Sequence, residues 1–164
     1  MQEPLHYFLD HSSATVNLTL TDRQFIAETQ GKGVLDKPRH INILISSIKK
    51  FCLVATNKVQ NLNNARSAGD YSYDSEFIFL YPDGQKMKTK RIFVNSHDEN
   101  FVTLLNELKY KQPDASLLHL SQEEALKQIG VTSASKTIRI FLWLFVGIPV
   151  IVLLIYSLTK ILKH

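Results

Sequence analysis

The chain has 164 residues, 45% hydrophobic and 21% charged, with 19 basic and 15 acidic side chains and a formal charge of +4. That length suits one domain, and the apolar fraction excludes low-complexity disorder. One cysteine excludes an internal disulfide framework, and because Lys160 and Lys163 carry part of the excess charge, the rest of the chain gives no basis for nucleic-acid binding.

The first twenty residues contain acidic Glu3 and Asp10 and no long apolar run, so they lack the build of a secretory signal, and the N-terminal domain is expected in the cytoplasm. From Ala14 to Leu20 the side chains alternate, with Val16, Leu18 and Leu20 on one face, the period of a half-buried strand. Thr21-Asp22-Arg23 supplies a turn, and Phe25 to Gln30 a second strand. Gly31-Lys32-Gly33 lacks the spacing of a phosphate-binding loop and reads as a turn, followed by the Asp36-Lys37-Pro38 break. Ile41, Ile43 and Ile45 alternate again, and Phe51 to Ala55 forms the next strand, in which Cys52 is expected to be an inert packed thiol. Residues 56–70 are rich in Asn, Ser and Gly and form a long loop, either a binding surface or a plain connection.

Strand character returns from Tyr71 to Tyr81, and Tyr81-Pro82-Asp83-Gly84 predicts a hairpin turn into a strand from Gln85 to Val94. Lys86, Lys88 and Lys90 share one face of that strand and, with Arg91, are the candidate residues for anionic lipid headgroups; a solvated edge guarded by lysines fits the same pattern. Ile92 and Val94 fall on that face too, so either a bulge near Arg91 shifts the phase or the stripe grades from solvent into core. Ser96-His97-Asp98 places three catalytic residue types side by side, but adjacency is not triad geometry. Ser96 with Glu99 instead fits a capping box ahead of an amphipathic helix bearing Phe101, Leu104, Leu105 and Leu108 on one face and ending near Lys111 before Pro113. Ser121 and Glu124 repeat the capping signature, and a second short helix before Gly130 is expected beside a membrane.

Ile140 to Thr159 is twenty residues without a charge, long enough as a helix to cross a hydrocarbon core of about 30 Å. Lys136 and Arg139 precede it, Lys160 and Lys163 follow it, and Trp143 and Tyr156 stand near opposite ends where amphipathic rings favour the interface. Gly147 and Pro149 predict a kink within it. The expected arrangement is a single-pass tail anchor over 136–164, a linker and juxtamembrane helix over 113–135, and a domain over 1–112.

Six or seven strands in successive hairpins followed by an amphipathic helix predict a mainly β fold, a small curled antiparallel sheet or partly open barrel capped by that helix. The passage Ile43-Leu44-Ile45-Ser46-Ser47-Ile48-Lys49-Lys50-Phe51 resembles the hydrophobic, Ser, Ser/Asp, Ile, basic strand passage of bacterial pleckstrin-homology-like (PH-like) domains. Phe77 to Gly84, continuing to Phe101 and Leu105, is similar to their last hairpin and closing helix, so the resemblance covers about 12–112. It implies a membrane-tethered binding module with no catalysis and no cofactor, whose partners are membrane lipids, another membrane protein or a second copy of the chain. The phosphoinositide-binding members place a Lys and two Arg across the first hairpin; here that region offers Arg23, with Lys32, Lys37 and Arg39 beyond the second strand. The resulting expectation is an adaptor or accessory subunit of a membrane-protein complex, at the inner membrane if the chain is bacterial, with anionic-lipid sensing as the alternative. No HExxH spacing among the six histidines, nor any CxxC pair, points to an enzyme.

Overall fold

The computed structural model describes residues 3–11, 14–56 and 73–131. The chain divides into two compact units, Met1–Ala125 and Leu126–His164. The described part of the first unit holds strands β1 (Leu5–Asp10), β2 (Ala14–Leu20), β3 (Gln24–Gly31), β4 (Arg39–Leu44), β5 (Lys50–Ala55), β6 (Ser75–Asp83) and β7 (Lys86–Val94), then helix α1 (Glu99–Lys111).

The strands form two antiparallel sheets, β1-β2-β3-β4 and β5-β6-β7, rather than one curled sheet, and no ladder among the described residues closes them into a barrel. The chain changes sheet through a 3-10 turn at Ile45–Ser47, where the Ser47 hydroxyl donates to the Leu44 carbonyl at 2.6 Å. Ile45 therefore leaves the alternating series of Ile41 and Ile43 and is buried in the turn. The alternation expected in β2 holds, with Val16, Leu18 and Leu20 buried. β1 is an element the sequence reading left out: it pairs with β2 in continuous register, Leu5 opposite Leu20 and Asp10 opposite Thr15.

The core lies between the sheets. Phe25 meets Phe77 and Phe79 edge-on at 6.0 and 5.3 Å, and Phe77 also faces Phe51 at 6.2 Å. Each such ring contributes roughly 1.5–3 kcal/mol by leaving water. Helix α1 closes one end against β1. Its Phe101 reaches Tyr7 at 5.2 Å and Phe77 at 6.0 Å, while Leu104 and Leu108 are buried beside it, as the helical spacing predicts. The exposed edge of β5 is covered in part by Ser116 and Leu117: Phe51 bridges Ser116, and the Leu117 N–H donates to the Phe51 carbonyl at 2.9 Å.

Two local expectations need correction. The α1 N-cap is Asp98, whose carboxylate accepts from the Asn100 and Phe101 N–H groups at 2.9 and 3.2 Å. Ser96 is not the cap, because its hydroxyl donates to Asp74 at 2.7 Å instead. The β6–β7 turn is Gly84-Gln85 rather than a turn from Tyr81; Pro82 lies inside β6, beyond Leu80, where the β5 ladder has ended and no strand on that side needs its missing N–H. Gly84 takes φ +62°, the positive value that a two-residue hairpin loop requires at its first position.

The second helix, α2, spans Gln122–Ile129. Its capping box forms as expected: the Ser121 N–H and hydroxyl both donate to the Glu124 carboxylate, at 3.1 and 2.6 Å. Its C-terminus closes with the Val131 N–H on the Leu126 carbonyl and the Gly130 N–H on Lys127, the paired bonds of a Schellman motif.

Candidate functional site

The β6–β7 register runs unbroken from Asp83 opposite Lys86 to Ser75 opposite Val94, so no bulge shifts the basic stripe. It grades instead from exposed Lys86 and Lys88 through half-buried Lys90 to buried Ile92 and Val94. Arg91 lies on the other face, its guanidinium donating to Glu76 at 3.4 Å, and Lys88 forms an ion pair with Asp83. The four predicted lipid-contacting residues thus do not share one surface. Lys90 parts from the others because its inward face brings the ammonium across to the first sheet, where it donates to the Thr29 hydroxyl at 3.2 Å.

That reach builds a site. Thr29 stands opposite Arg39 at the β3–β4 end of the first sheet, so Lys90 from the second sheet and Arg39 from the first come together beside one hydroxyl. Around them opens a cleft of about 650 Å³, lined among others by His11, Lys37 and Phe93. Burial, and then the neighbouring Arg39 charge, hold the Lys90 ammonium below the usual lysine range. Among the described residues no ion pair joins Lys37, Arg39 or Lys90 to a carboxylate. The acidic residue in the wall, Asp36, accepts the Gly33 N–H at 2.9 Å within its own loop.

His11 forms another wall, its ring tilted against Tyr73 at 5.0 Å and edge-on to Phe93 at 6.3 Å. Burial lowers its pKa, the Lys32 charge lowers it further, and Asp10 opposes both, so at neutral pH the imidazole is uncharged. Lys32 itself is neutralised by Asp10 at 2.6 Å. The cleft therefore carries the three cations Lys37, Arg39 and Lys90 against the one Asp36 carboxylate, on a partly apolar floor, a net positive arrangement fitted to a carboxylate or phosphate.

Neither group weighed for catalysis is arranged for it. The Ser96 hydroxyl and the His97 ring both contact the same Asp74 carboxylate, at 2.7 and 3.3 Å, so serine and histidine are not a nucleophile and its base. Cys52 is buried, and burial pushes its thiol up to about 11, which keeps it protonated and inert at neutral pH. Gly31-Lys32-Gly33 is a turn as expected, with the Asp36 N–H donating to the Gly33 carbonyl at 3.1 Å.

The loop expected at 56–70, beyond Thr56, and the expected membrane anchor, with Trp143, Gly147, Pro149 and Tyr156, lie outside the described residues. Among the described residues no helix is long and apolar enough to cross a membrane. The sequence reading noted Lys37 and Arg39 as basic positions but did not join them to Lys90; the Lys37-Pro38-Arg39-His40 run was the available signal. No family model, characterised protein or solved structure matches the chain.

Proposed function

We propose that this chain is a membrane-anchored, non-catalytic binding module, an adaptor or accessory subunit of a membrane-protein complex, that grips an anionic group in the cleft between its sheets. The carrying observation is the meeting of Arg39 and Lys90 from opposite sheets, neither of them ion-paired to a carboxylate among the described residues. Such a pair costs stability in the empty protein, and a bound anion offsets that cost. Four strands and three in two antiparallel sheets, closed by a C-terminal helix, support the PH-like reading of the domain. The uncharged apolar segment at 140–159 supports anchorage, with the domain on the cytoplasmic side and α2 near the bilayer surface.

The test uses the full-length protein in detergent. Inorganic phosphate, compared with chloride at equal ionic strength, should raise the melting temperature by a few degrees once its concentration is about ten times Kd. Arg39→Gln should abolish that rise. An equal response of both proteins removes the cleft from the proposal. Crosslinking in cells followed by native purification should capture a second membrane protein, and a chain that always runs as an isolated monomer refutes the adaptor role.

A further inference from the structure

The loop between β3 and β4 carries an anomaly at its tip. Asp36 donates its N–H to the Gly33 carbonyl at 3.1 Å and accepts the Gly33 N–H on its carboxylate at 2.9 Å, which pins residues 33–36 as a tight turn. Both central positions have negative φ, which most residues can adopt, but in an exposed turn they are more often polar, Pro or Gly. Here they hold Val34 and Leu35, which are 103% and 92% exposed. The pinning is built in: a Cβ at Gly31 or Gly33 would collide with the Asp36 carboxyl that ties the turn. The turn therefore holds two large aliphatic side chains out in water, directly beside the cleft, whose wall includes Leu35, Lys37 and Arg39.

We infer that the β3–β4 turn is a membrane-contacting tip: Val34 and Leu35 enter the interfacial layer of an anionic leaflet while Lys37, Arg39 and Lys90 receive a lipid phosphate in the cleft behind them. This inference rests on the reading of the chain as an anchored module with an anion-binding cleft, and it names the source of the anion. Charge complementarity selects the occupant, since an apolar point backed by three cations against the one Asp36 carboxylate matches a surface that is apolar inside and negative at its face. The apolar segment at 140–159 supplies a tether, so even a weak contact of the domain with the leaflet is populated. The contact differs from the β7 stripe, where Lys88 and Arg91 are already ion-paired.

The experiment places an environment-sensitive NBD fluorophore on the full-length Leu35→Cys variant; Cys52 is buried, so labelling is directed to position 35. The protein is reconstituted into vesicles of phosphatidylcholine alone or mixed with phosphatidylglycerol. In the mixed vesicles the emission should shift to the blue and be quenched by spin-labelled lipid. In phosphatidylcholine alone it should stay water-like, as should a label at Tyr110→Cys, on the exposed side of α1, in both. Adding Lys37→Glu and Arg39→Glu should return the position-35 label to its water-like state. A position-35 label that stays water-like in mixed vesicles, while the protein floats with them and still melts higher in phosphate, overturns the lipid assignment and leaves the cleft standing. A shift of equal size in both vesicles overturns the role of the cations. Failure to float with either vesicle removes the anchor, and the tip inference with it.

Discussion

Tyr7→Phe tests whether β1 is integral to the domain, because it deletes one oxygen and keeps the ring. Tyr7 is buried in the core, and its hydroxyl accepts the Asn95 N–H at 2.8 Å, tying the first strand to the segment that leads into α1. Without that oxygen the Asn95 amide loses its acceptor, at a cost of about 1–3 kcal/mol. For a domain of about 100 residues, each kcal/mol lowers the melting temperature by about 4–8 °C. A second signature separates this bond from general loosening. Burial, partly opposed by the Asn95 bond and reinforced by the charges of Asp98 and Asp74, pushes the Tyr7 hydroxyl up to about 12 from 10.0. A raised folded-state pKa gives stability that is complete below pH 10 and is lost as the pH climbs towards 12, at about 1.4 kcal/mol per unit. The wild-type advantage over the phenylalanine variant should therefore shrink by about 1.4 kcal/mol between pH 7 and pH 11. Urea unfolding of both proteins at the two pH values, followed by circular dichroism, measures that difference. A variant as stable as wild type at pH 7, or a gap that does not change with pH, refutes the seating of Tyr7 described above.

Asp98→Ala should cost about 0.5–2 kcal/mol and speed hydrogen exchange at the Asn100 and Phe101 amides, because both lose their acceptor; Ser96→Ala should leave those two amides protected. Asp74 experiences burial, which raises its pKa, but the Ser96 hydroxyl and N–H outweigh it and hold the carboxyl below its usual 3.8. Its contribution is thus present above that value and lost as pH falls through the lowered one, so the stability gap between wild type and Asp74→Asn should close in acid unfolding below about pH 4. Lys90→Met removes a half-buried cation facing Arg39; the protein should melt at the same temperature or slightly higher, the gain kept small by solvent screening, and should no longer respond to phosphate in calorimetry.

The elements the sequence made visible are those whose residues interact with near neighbours or alternate cleanly. Val16, Leu18 and Leu20 announce β2 by period, and Ser121 with Glu124 announces α2 because the two side chains bond each other locally. Ser96 and Glu99 carry the same signature and fail, since Asp74, 22 residues away in sequence, captures the Ser96 hydroxyl. β1 was hidden for a different reason. Tyr7 and Leu9 point inward, but the outward Phe8 is apolar and 64% exposed, which blurs the two-residue period that marks a strand. The cleft was illegible because its bond from Lys90 to Thr29 spans 61 residues, and no local pattern encodes which sheet end a long side chain will meet.

Comparing the basic positions explains why charge count is a poor guide to this surface. Lys88, Arg91 and Lys32 each have an acidic partner, and exposed pairs of this kind are worth about 0–1 kcal/mol, so they hold little potential in reserve for a ligand. Lys90 and Arg39 are the reverse case: fewer charges, Lys90 half-buried and Arg39 exposed beside it, with repulsion between them and a threonine hydroxyl as the Lys90 partner. A fold selected only for stability would place an acid between those two cations or replace one of them. Keeping both, next to a turn that holds Val34 and Leu35 in solvent, spends stability at one end of the molecule. The dense aromatic packing of Phe25, Phe51, Phe77, Phe79 and Phe101 deeper between the sheets supplies the margin that allows it.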